Sequence, residues 1–68
     1  MSKVGFRNGG AAEVSIVRYR NVRECYVVVS FRNREIAIKC DDYNAATKWA
    51  RIEHKSYGVT TGVKVISD

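Results

Sequence analysis

The chain has 68 residues, 46% of them hydrophobic, with twelve Lys and Arg against seven Asp and Glu for a formal charge of +5. So short a chain buries only about 60% of the surface it exposes when unfolded, which leaves room for one core and no second layer of machinery. Its apolar and aromatic content excludes a disordered chain, and no run approaches the roughly 20 apolar residues of a membrane span.

Residues 1–12 contain Asn8, Gly9 and Gly10 and are expected to form an N-terminal arm or short hairpin ahead of a single domain over residues 13–68. The opening stretch lacks the apolar centre of a signal peptide. Cys25 and Cys40 are too few and too far apart for a zinc site, and they are expected as small apolar core residues in a reducing compartment. A cytoplasmic protein is therefore expected, in the host cytosol if the source is viral.

The run "EVSIVRYRNVRECYV" predicts a strand, a turn near Asn21 and Val22, and a second strand, with Ile16 opposite Val27, Val14 opposite Val29 and Val17 opposite Tyr26. The next segment, "YVVVSFRNREIAIKC", predicts a hairpin with a two-residue loop at Asn33 and Arg34. That loop sets Phe31 against Ile36, Val29 against Ile38 and Val27 against Cys40 on one apolar face. Arg32 against Glu35, Ser30 against Ala37 and Val28 against Lys39 then fall on the other. The two cysteines become diagonal neighbours on the apolar side, poorly placed for a disulfide.

"DDYNAATKWARIEHKSYG" predicts a helix of about four turns, capped by Asp41 or Asp42 and stopped at Gly58. Ala45, Ala46, Trp49, Ala50, Ile52 and Tyr57 are expected on the sheet. Truncating Trp49 to Ala is then expected to cost roughly 3 to 5 kcal/mol, as for a buried aromatic. Asn44, Thr47, Lys48, Arg51 and Lys55 face away, the last three as a cationic stripe. "TTGVKVISD" predicts a fourth strand, expected beside the first. The fold class is thus α+β, in the order β-β-β-α-β: a three- to four-stranded antiparallel sheet with one helix on one face.

The uncovered side of such a sheet carries Val17, Tyr19, Tyr26 and Val28. Arg18, Arg20 and Arg23 are expected at one end, Arg32 and Arg34 at the other, with Lys39 between. Guanidinium forks match phosphates and base edges, while aromatic rings offer stacking surfaces. Tyr and Arg also dominate protein–protein hot spots. No catalytic or metal motif is present: His54 is the sole histidine, and helix capping accounts for Asp41 and Asp42. A non-enzymatic binding protein without a cofactor is expected.

Three strands followed by "DDYNAATKWAR" and "SYG", with "YRNVR" at residues 19–23, resemble the sheet-plus-helix DNA-binding modules of the plant ethylene-response-factor domain and of integrase arm-binding domains. The resemblance covers residues 14–58. It implies that the open sheet face enters the DNA major groove, with Arg18, Arg20, Tyr26 and Arg32 reading bases and Arg23 on phosphate. In size and character the chain also resembles small accessory proteins of phages and mobile elements, including anti-CRISPR inhibitors. That resemblance implies docking on a host nucleoprotein complex by protein–protein contacts. A homodimer through the open face is a third arrangement compatible with the pattern.

Overall fold

Residues 13–67 are described by the computed structural model; the expected arm over residues 1–12 lies outside them. Strands β1 (Glu13–Arg18), β2 (Cys25–Ser30) and β3 (Glu35–Cys40) precede helix α1 (Tyr43–Ser56), and strand β4 (Lys64–Ser67) closes the order. They form one four-stranded sheet in the order β3-β2-β1-β4, with α1 lying across β1, β2 and β3. The fold is α+β.

The sheet is mixed rather than purely antiparallel, because β4 runs parallel to β1. The cause lies in the helix. Fourteen residues at about 1.5 Å each span roughly 21 Å, about the length of a six-residue strand at 3.3 Å per residue. The chain therefore returns to the end of the sheet where β3 began before it starts β4. A strand starting there runs parallel to β3, and through two antiparallel steps parallel to β1 as well. Beside β1, Lys64 reaches Glu13 in a 2.6 Å ion pair on the open face.

Alternation sorts the strands as expected. Val14, Ile16, Cys25, Val27, Val29 and Cys40 are buried towards the helix and form the core with Ala46, Ala50 and Val59. The β1–β2 pairs are those expected, including Ile16 with Val27 and Val17 with Tyr26. The β2–β3 pairs differ by two residues: Val29 opposes Ile36, Val27 opposes Ile38, and Cys25 opposes Cys40. The loop is Phe31–Arg34, closed by the Phe31 N–H donating to the Arg34 carbonyl at 2.8 Å. A tight two-residue type I′ loop needs positive φ at both central residues. Among the described residues only Asn21 and Gly58 adopt it. Released from the ladder, Phe31 packs edge-on against Tyr57 at 5.2 Å. A shift of two keeps every side chain on its face, so the sorting survives while the partners change. The expected Arg32–Glu35 pairing is replaced by Ser30 donating to Glu35 at 3.3 Å.

The Asp42 carboxylate accepts the Ala45 N–H at 2.8 Å and caps α1. At the other end Gly58 has φ +62°, and the N–H groups of Gly58 and Val59 donate to Lys55 and His54 carbonyls. This Schellman arrangement brings Val59 into the core. The His54 Nε2–H donates to the Thr61 carbonyl at 2.6 Å, tying the helix end to the segment that leads into β4.

Trp49 does not lie beneath the helix. It is 44% exposed, Ile52 is 52% exposed and Tyr57 is also exposed, whereas Ala46 and Ala50 are buried. The two alanines let the helix backbone approach the sheet closely, and Trp49 sits about 60° round the helix from Ala46. The indole is left at the flank.

Candidate binding surface

The face of the sheet opposite α1 is built by the alternate residues of all four strands. Val17 and Tyr26 oppose each other, as do Val28 and Ala37, while Ile66 lies beside Val17 from the β4 side. Around them the strands carry two acidic residues, Glu13 and Glu35, and two basic ones, Lys39 and Lys64. The β1–β2 connection adds a rim. Asn21 adopts φ +62°, and the Val22 N–H donates to the Tyr19 carbonyl at 3.3 Å. This turn brings Tyr19 edge-on to Tyr26, with ring centroids 6.0 Å apart at 83°. Between the turn and the sheet lies an open hollow of about 550 Å³, floored by Val17, Tyr26 and Val28 and bordered by Tyr19, Val22, Glu24 and Lys39.

The arginines lie elsewhere. Arg18 falls on the helix side, opposite buried Cys25, and its guanidinium stacks 4.5 Å from the centre of the Tyr43 ring. The expectation that it joins Tyr26 on the open face is corrected; its position two residues beyond Ile16 carried that signal in the sequence. Arg20 and Arg23 are exposed in the β1–β2 connection, and Arg32 and Arg34 in the β2–β3 loop at the far end. The Arg34 guanidinium lies 4.6 Å from the Phe31 ring centre. Lys48, Arg51 and Lys55 are exposed on α1, on the other side of the molecule. The structure thus gathers Tyr19, Tyr26 and Lys39 and leaves the arginines in separate groups.

Val22 and Ile66 belong to the surface without having been expected there. Val22 enters through the loop conformation and Ile66 through its register beside Val17, neither of which follows from local periodicity.

Cys25 and Cys40 are both buried free thiols and oppose each other directly, not diagonally as expected. Burial, then the neighbouring Cys25, Asp41 and Asp42, push the Cys40 thiol above its ordinary value. Such a group stays a thiol at neutral pH and is a poor nucleophile. Among the described residues there is no group of three His, Cys, Asp or Glu that could hold a metal ion, and no helix is long and apolar enough to cross a membrane.

The chain matches no protein-family model, no curated protein and no solved structure. Any assignment therefore rests on the surface itself.

Proposed function

We propose that this is a non-enzymatic binding protein of phage or mobile-element type that docks its open sheet face on a folded protein, in the manner of an inhibitor acting on a host nucleoprotein complex. The observation carrying the proposal is the make-up of that face. Its strands present Tyr26, Val17, Val28 and Ile66 with acid and base in equal number and no arginine. A duplex-binding face needs several cations aligned on phosphates. An aromatic and aliphatic centre with a mixed polar rim is the usual make-up of a protein interface.

Nucleic acid, the first expectation from the sequence, is the competing reading. Its support is that Arg20 and Arg23 are exposed in the same β1–β2 connection that carries Tyr19. Both readings are tested by presenting the immobilised protein with nuclease-treated extract of its source cells, beside a titration of labelled duplex DNA over a salt series. The expected result is a stoichiometric, nuclease-resistant complex that the variant Tyr26→Ser with Val28→Ser fails to form while melting within about 4 °C of the parent, a shift worth about 1 kcal/mol or less. Duplex binding whose logarithmic salt slope is about −0.9 per phosphate contact, lost on Arg20→Ala with Arg23→Ala, would assign the protein to DNA instead. A light-scattering mass of twice the 7.7 kDa chain, abolished by the open-face variant, would assign the face to a second copy.

A further inference from the structure

The helix leaves one strand of its own sheet uncovered. α1 rests on β1, β2 and β3 but not on β4. Val65 faces the helix side, beside Ile16 of β1. Yet Val65 is 46% exposed, whereas Ile16 is only 2% exposed. Between helix and strand runs a groove of about 210 Å³. Ile16 and Ala50 form its floor, Val63 and Val65 one wall, and Tyr43, Thr47 and Arg51 the other. The last three recur at every fourth residue and so line one flank of the helix.

Two further features say what the groove fits. Among the described residues β4 is an edge strand with no strand on its outer side, and an edge strand of this kind presents outward backbone groups to an added chain. The helix wall is cationic at both ends: Arg51 at one, and Arg18 stacked on Tyr43 at the other. Of the nearby acids, Asp42 is engaged in capping α1, and Glu13 pairs with Lys64 on the opposite face.

We infer that the groove between α1 and β4 binds an extended acidic peptide, which adds to the β4 edge and drops every second side chain towards the helix. The spacing specifies the ligand. Tyr43 and Arg51 are eight residues apart, about 12 Å along the helix axis. A strand covers about 13 Å in four residues. The matching pattern is acid-x-apolar-x-acid, with the apolar side chain over Val65 and Ala50 and one carboxylate at each guanidinium. This site is on the opposite side of the sheet from the docking face proposed above and stands independently of it.

The probe is the acetylated, amidated heptapeptide TETVTET, titrated into the isotope-labelled full chain and followed by amide chemical shifts. Shifts are expected at residues 63–66 and at Tyr43, Thr47 and Arg51, with saturation at concentrations of about 1 mM or below. Arg51→Glu, whose free spectrum should overlay that of the parent elsewhere, is expected to weaken binding by about fivefold or more through loss of a charge pair worth about 1 kcal/mol. TKTVTKT should produce no shifts. Tyr26→Ser with Val28→Ser should bind TETVTET as the parent does, so failure of the docking proposal and failure of this one read out separately. The inference is overturned by absence of shifts at the top concentration, by shifts centred on Tyr26 and Val28, or by equal binding of the lysine peptide.

Discussion

At the scale of single residues, the side chains that matter are held by short-range geometry. Asp42 and Gly58 bracket the helix, Tyr19 reaches Tyr26 because Asn21 turns the chain, and Arg18 is turned away from the open face by its place in β1. Cys40 makes a prediction here. Its thiol is raised by burial, with Cys25, Asp41 and Asp42 adding to the effect. The folded chain therefore holds this proton more tightly than the unfolded chain does. The resulting stability is complete below the ordinary thiol range and is lost as pH climbs through that range towards the raised value. Urea midpoints measured from neutral to alkaline pH should fall, and Cys40→Ala should flatten part of that slope. An unchanged slope would show that Cys40 titrates alike in both states.

At the scale of elements, helix and loops decide which pairs form. The C-terminal turn of α1 depends on Gly58 at φ +62°, where an added Cβ would meet nothing within 4 Å. Gly58→Ala is therefore expected to destabilise through backbone strain alone, by about 1 to 2 kcal/mol, and Gly58→Asn by less, because Asn tolerates this conformation. Chemical denaturation of the three proteins tests the order; equal stabilities would mean that the helix ends differently in solution. Trp49, by contrast, loses its expected place in the core. Its exposure makes the 3 to 5 kcal/mol typical of a buried aromatic inapplicable.

At the scale of the whole molecule, the sheet is unevenly supported. β2 lies between two strands and under the helix, while β4 has, among the described residues, one neighbour and no helix above it. Native-state hydrogen exchange should protect Val27 and Val29 most, while β4 amides should exchange by local opening at much lower free energy. Uniform protection across all four strands would contradict this division. An edge that opens easily is also one that can accept an added strand, which links the uneven support to the groove beside it.

Periodicity by itself determined the two faces of the sheet, the helix and its caps, because those depend on alternation, on 3.6-residue repeats and on residues a few positions apart. It determined the β1–β2 partners as well, since a turn centred on Asn21 and Val22 gives the same pairs whatever its length. The β2–β3 partners expected from a two-residue loop at Asn33 and Arg34 were two residues off: registers two apart sort side chains identically, and the wider loop, with Phe31 packed on Tyr57, decides between them. Tertiary structure alone decided that β4, expected beside β1, runs parallel to it, and that Trp49 stays at the flank. Each of these depends on how close the alanines let the helix come and where its far end delivers the chain, which are distances between segments remote in sequence.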